Sequence, residues 1–191
     1  MKSWNIAKPG ARFVAKMEDV LDVYQRPYEP EYPQVCLDEI SKTLRSTPRG
    51  ALPIEPGKPK REDYEYKRHG QCALFLAIEP LQGFRRVWVS SRRTKLDMAL
   101  VLKELIDEVY PDARKVVLVT DNLNIHHAAC LYERFPPAEA RRIAAKIEWH
   151  YTPEHASWLN IAECELSVLR RQCLRSRISD IDTVSEKVTA W

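Results

Sequence analysis

The residues in this chain best suited to chemistry are three carboxylates, Asp38, Asp121 and Glu163. Asp38 closes the short apolar run VCLD, and Asp121 closes the β-branched run KVVLVTD. In open α/β sheets the ligand crevice lies at the carboxyl ends of strands, so two neighbouring strands ending this way would bring both acids there. A lone aspartate at a strand end is more often a turn or capping residue; the pairing gives these two their weight. The third acid belongs to segment 158–174, where Leu159, Ala162, Leu166, Leu169 and Cys173 recur at helical spacing as a buried stripe. Glu163 lies one residue past that stripe, three residues after Asn160, whose neutral amide could orient it. Glu165 lies on the other flank. Periodicity alone does not choose between them, although Asn160 favours Glu163.

Three converging carboxylates repel one another unless cations neutralise them. Hard oxygen ligands select Mg²⁺ or Mn²⁺, which keep coordination positions open for water and phosphate oxygens. Two such ions about 4 Å apart activate a water or a 3′-hydroxyl and stabilise the leaving oxygen of an in-line displacement. That chemistry cuts and joins phosphodiesters.

The elements that must hold these acids are legible as changes of period. Residues 13–24 place Phe13, Met17, Val20, Leu21 and Tyr24 on one helical face. The proline-rich stretch 26–33 is an extended connector, and 35–40 is a short strand. Residues 41–69 show no usable period, and Pro48, Pro53, Pro56 and Pro59 with Gly50 and Gly57 predict a long basic loop. Segments 72–80 and 84–91 read as an antiparallel hairpin across the turn PLQG. A helix over 95–110, a strand buried on both faces at 115–122, a helix from Pro136 to Ile147 and a strand over 147–153 follow. Helices over 158–174 and 179–191, the latter capped by Ser179 or Asp180, complete the chain. Three antiparallel strands followed by β/α alternation predict a mixed sheet covered by helices on both faces.

The length of 191 residues suits one ordinary domain. The longest apolar run is the seven residues 72–78, too short to span a membrane, and the opening MKSWNIAKPG lacks the apolar core of a secretory signal. Five cysteines at unrelated spacings read as reduced core residues. The histidines and cysteines offer no CxxC or HExxH zinc spacing, and no glycine-rich phosphate loop points to a nucleotide cofactor. His150 reads as a hydrogen-bonded structural residue, and Trp88, Trp149 and Trp158 read as core. Net charge is only +3, but residues 41–70 hold eight Lys or Arg against four acids, and further arginines cluster at 85–93 and 170–177. Basic clusters flanking a carboxylate site suit a phosphodiester substrate.

The segments VCLDEI, VLVTDNLNIH, HYTPEHASWLN and IAECELSVLRRQCL, in this order, resemble the DDE-type transposases of the Tc/mariner superfamily, most closely the bacterial insertion sequence six-thirty family. The resemblance covers roughly residues 12–191, and WLNIAE following DNLNIH is its most specific part. It implies a ribonuclease H-like α/β fold: a mixed five-stranded central sheet with helices on both faces. Asp38, Asp121 and Glu163 would be the metal-binding catalytic triad, holding two Mg²⁺ or Mn²⁺ ions. Asn122 and His126 match the motif DNxxxH and, with Glu39, Asn160 and His155, would stand behind the triad or face DNA. Residues 1–33 would be an N-terminal helix and connector, and 34–191 the catalytic domain. Stretch 41–69 falls where relatives carry a clamp loop, which would bring Lys42, Arg45, Arg49, Lys58, Lys60 and Arg61 to DNA.

Double-stranded DNA (element ends and target), a homodimeric partner and a bacterial cytoplasmic setting follow as expectations of the resemblance. The 41 residues between Asp121 and Glu163 exceed the mariner-like spacing, with the surplus expected as a helix extension over 133–142. Relatives carry helix-turn-helix modules ahead of this domain and run on beyond it. None is read ahead of residue 12, so the expectation is a catalytic core alone. Two rivals are a nuclease of the same fold that cleaves without joining, and an inactive remnant that only binds DNA or a partner.

Overall fold

The computed structural model describes residues 10–49, 56–58, 64–122 and 125–191. Helix α1 (Ala11–Gln25) precedes three antiparallel strands, β1 (Gln34–Ser46), β2 (Lys67–Glu79) and β3 (Phe84–Ser90). Helix α2 (Lys95–Glu104), which ends in a π-helical turn over Leu105–Val109, leads into β4 (Val116–Thr120). Helices α3 (Ala129–Arg134) and α4 (Pro137–Ala145) cross to β5 (Ile147–Tyr151), and α5 (Ala162–Gln172) and α6 (Ile181–Thr189) follow. The sheet order is β3-β2-β1-β4-β5, with β1, β4 and β5 parallel to one another. This is the mixed five-stranded sheet that the alternation predicts.

Each sheet face buries its own core, because successive side chains of a strand point to opposite faces. Leu37, Phe75, Val116 and Leu118 pack under α2, α3 and α4, whereas Cys36, Leu74, Leu76, Val117 and Val119 pack under α1, α5 and α6. All five residues of β4 are buried, which explains its unbroken β-branched run. Cutting Leu118 to alanine in such a doubly covered strand would cost about 2–5 kcal/mol. Among the described residues no helix is long and apolar enough to cross a membrane.

Several boundaries differ from the sequence reading. Strand β1 runs on to Ser46 and β2 begins at Lys67, so Lys42 and Arg45 stand on a strand rather than in the expected 41–69 loop. The extension is a two-stranded ribbon running from the Ser41–Ala73 pair to Ser46–Lys67; on β1 only Leu44 of residues 41–46 is buried, which leaves no apolar alternation to read. The expected helix extension over 133–142 is instead two helices, α3 and α4, broken at Pro136. Cys36, Cys72 and Cys130 are buried as expected, but Cys164 is exposed and Cys173 only half-buried. Cys164 sits one step off the Ala162–Leu166–Leu169 stripe, on the outer face of α5.

Candidate active site

The parallel ladder between β1 and β4 sets the first two acids side by side. Cys36 pairs with Val119, and two residues further along each chain stand Asp38 and Asp121. Asp38 is buried, and the Glu39 amide donates to its Oδ1 at 2.8 Å. Burial pushes the Asp38 carboxyl up to about 7; that amide opposes the rise, and the charges of Glu39, Asp121 and Glu163 add to it. The field of all three neighbouring acids therefore meets at Asp38.

The third acid arrives on α5. Ala162, Leu166 and Leu169 are buried as the stripe requires, and Glu163 and Glu165 both sit in the first helical turn, where free amides favour negative charge. Their partners separate them. Glu165 Oε1 accepts from Arg85 Nη1 on β3 at 2.6 Å, while Glu163 is exposed and acts on Asp38. Asn160 does not orient Glu163 through its amide. Fully buried, it donates from Nδ2 to the Leu37 carbonyl at 2.9 Å and accepts from the Ala162 amide at 3.1 Å. Tyr24 of α1 ties the same turn down, donating its hydroxyl to the Leu159 carbonyl at 2.7 Å.

His126 is buried behind Asp121. Its Nδ1 faces Asp121 Oδ1 at 2.5 Å and Thr120 Oγ1 at 3.0 Å, and its Nε2 faces Glu39 Oε2 at 2.7 Å. Burial alone would lower the imidazole pKa, but the Asp121 and Glu39 hydrogen bonds and charges raise it to about 9. Arg93 Nη1 stands 3.6 Å from the other Glu39 oxygen. Asn122 follows Asp121, half-buried. His155 lies on an exposed turn with φ of 63°, and the histidine nearest it in β5, His150, instead joins Asp19 of α1 to Glu148 at 2.8 and 2.9 Å. His150 is thus the structural histidine the sequence suggests.

The predicted basic residues divide. Lys42 Nζ donates to the Leu174 and Ser176 carbonyls at 2.6 and 2.8 Å, so it fastens the end of α5 to the sheet. The Arg45 guanidinium lies 4.5 Å over the Tyr66 ring. Arg49 is exposed, 3.6 Å from Glu65, and Lys58 is exposed. Lys60 and Arg61 lie outside the described residues. Trp158 is not core: 67% exposed on the turn Ser157–Leu159, it lines a groove with Glu163, Ser167 and Arg171, because Leu159 takes the inward position. The sequence reading missed the Glu39–His126 link, since nothing in the spacing of residues 87 apart signals it.

Asp38, Asp121 and Glu163 offer hard oxygen donors, and the mutual repulsion expressed at Asp38 is what a divalent cation would relieve. His126 does not fit as a ligand, because both ring nitrogens are engaged by carboxylates. Among the described residues no three His, Cys, Asp or Glu side chains already enclose an ion-sized space, and Asp121 is drawn to His126.

The family model for DDE superfamily endonucleases matches residues 33–185. Among solved structures, the Mos1 transposase paired-end complex with left transposon end superposes with a TM-score of 0.60 at 16% identity, covering 100% of this chain and 57% of that one. The Mos1 strand transfer complex and the Mos1 mariner paired-end complex with Mn each give 0.58 at 15% identity, again over 100% of this chain and 58% of theirs. The chain thus spans under two thirds of the Mos1 chains, and at these identities the likeness is one of fold, which is ribonuclease H-like. No curated protein matches the sequence.

Proposed function

Because the chain belongs to the DDE superfamily endonucleases, we propose that it is the catalytic domain of a transposase that cuts and joins double-stranded DNA at the ends of an insertion sequence. The observation that carries this reading is the level placement of Asp38 on β1 and Asp121 just past the end of the adjacent β4, with Glu163 in the first turn of α5 acting on Asp38. Asp38, Asp121 and Glu163 would hold two divalent ions, Mg²⁺ or Mn²⁺, as the Mos1 complexes prepared with Mn and with Mg support. Bound there, such ions would activate the attacking oxygen and stabilise the leaving one in an in-line displacement.

The protein's own part is to hold the carboxylates in register. Strands β1 and β4 fix the first two, and Asn160 and Tyr24 fix the helix start that carries the third. In the first step, water attacks the phosphorus, one P–O bond forms and one breaks, and a 3′-hydroxyl is released. In the second, that hydroxyl attacks a target phosphodiester and displaces its 3′-oxygen, so joining conserves the number of P–O bonds. The Mos1 complexes with transposon ends and after strand transfer support DNA as substrate. Pairing into a homodimer and contacts from Arg49, Lys58, Lys60 and Arg61 belong to the same reading.

The test is to incubate the chain with short duplexes and Mn²⁺ beside Asp38→Ala, Asp121→Ala and Glu163→Ala, then supply pre-cut ends with target DNA. Metal-dependent nicking abolished by each substitution, and joining of the pre-cut ends, are the expected results. Nicking that survives Asp121→Ala overturns the site. Cleavage without joining points to a nuclease. Salt-sensitive DNA binding with neither cleavage nor calorimetric metal uptake points to a binding remnant.

A further inference from the structure

We propose that Glu39 and His126 are positioning residues for Asp121, a buried pair that sets the direction of its carboxylate from behind the sheet. The inference rests on the metal-site reading above. Successive residues of β1 point to opposite faces, so Asp38 faces the side covered by α1, α5 and α6, and Glu39 faces the side covered by α2, α3 and α4. One dipeptide thus gives a metal-site acid on one face and a supporting acid on the other. From that second face Glu39 Oε2 reaches His126 Nε2 at 2.7 Å, and His126 Nδ1 reaches Asp121 Oδ1 at 2.5 Å. The Glu39 and His126 side chains are only 2% and 1% exposed, so water does not compete for these bonds.

The chemistry of the three groups fixes their roles. Each ring nitrogen of His126 stands at hydrogen-bond distance from one carboxylate oxygen, so a single side chain bridges Glu39 to Asp121. Turning the ring over would put a carbon where each nitrogen stands and lose both bonds. The ring therefore has one orientation, and it holds Asp121 by Oδ1. Thr120 Oγ1 at 3.0 Å from Nδ1 and Arg93 at 3.6 Å from Glu39 flank the two ends of the link. Outer groups that orient metal-binding side chains are worth about 10–100-fold in metal affinity when removed.

The test is Mn²⁺ calorimetry on the full chain with Glu39→Leu, Glu39→Gln, His126→Gln, Asp38→Asn and Asp121→Asn. Glu39→Leu is expected to weaken Mn²⁺ binding about 10–100-fold. Glu39→Gln, which keeps an acceptor for Nε2–H, should recover most of that loss. In the nicking assay Glu39→Leu should raise the half-saturating Mn²⁺ while leaving the rate at saturating metal near that of the wild type. If Asp38→Asn and Asp121→Asn bind Mn²⁺ as the wild type does, the metal-site reading falls. If they lose binding while Glu39→Leu keeps it, the positioning role alone falls. Should Glu39→Leu fail to fold, His126→Gln decides: weakened Mn²⁺ binding supports the pair, and binding equal to the wild type overturns it.

Discussion

Asn160 donates its side-chain amide to the carbonyl of Leu37, the residue immediately before Asp38. The Pro33 carbonyl accepts from Val117 of β4, so by the two-residue period the Leu37 carbonyl faces the same side. The ladder between β1 and β4 has ended one pair earlier, at Cys36 and Val119, and Asn160 supplies the donor that β4 no longer gives. The bond therefore closes the sheet where the crevice opens and fastens the start of α5 to Asp38. Asn160→Ala should lower stability by about 1–3 kcal/mol, because a buried carbonyl and the Ala162 amide both lose their partner. It should also reduce nicking more than that loss accounts for at temperatures where the variant stays folded. Urea unfolding and initial rates compared on one preparation check both.

Asp38 makes the metal-free protein sensitive to pH. Its carboxyl takes up a proton near pH 7 when folded and near 3.8 when unfolded, so folding favours the protonated form. That contribution is fully present below about pH 4 and is lost as pH rises through 7. Thermal unfolding without divalent ions should thus show stability falling across this window, and Asp38→Asn should flatten the fall. Adding Mg²⁺ at pH 8 should restore stability by about 2.7 kcal/mol at one hundred times the dissociation constant. A flat profile in the wild type would sink the claim.

The parts of this architecture written locally are the parts the sequence discloses. The run of β4, the Ala162–Leu166–Leu169 stripe and the place of Asp121 at the end of β4 follow from period and burial alone. Asp38, expected at a strand end, instead lies inside the longer β1 and only leaves β4 behind there. Links between distant residues leave no such trace. Glu39 meets His126, and Lys42 meets the carbonyls past α5, only because the sheet brings those segments together. The β1–β2 ribbon hid for a related reason: Leu44 is the one apolar residue in SKTLRS and KRHGQ has none, so no alternation marks either strand. Glu163 and Glu165 lie symmetrically about one stripe, and it took the position of Arg85 on β3 to separate them.

Lysines in the same basic stretch should divide by role. Lys42 is spent on two backbone carbonyls, so Lys42→Met should cost about 1–3 kcal/mol of stability and leave the salt dependence of DNA binding unchanged. Lys58 is exposed, and Lys58→Met should leave stability within about 0.5 kcal/mol. If Lys58 meets a phosphate, as proposed, the slope of log affinity against log salt should fall by about 0.9. Fluorescence-anisotropy titrations over a range of KCl, beside melting curves, separate the two.

Trp158 offers a platform next to the proposed third metal ligand. It is 67% exposed in the groove that Glu163, Ser167 and Arg171 also line. An aromatic ring held there costs hydration unless something covers it, and a base unstacked beside a cut phosphodiester has the right face and the neighbouring arginine the right charge. Trp158→Ala should weaken binding of duplexes with unpaired ends by about 1–3 kcal/mol, Trp158→Phe by much less, and blunt duplexes should be affected little by either. Because the ring contributes little to the core, melting temperatures should stay close to that of the wild type. Equal losses on blunt and unpaired ends would show that the ring does not stack on a base.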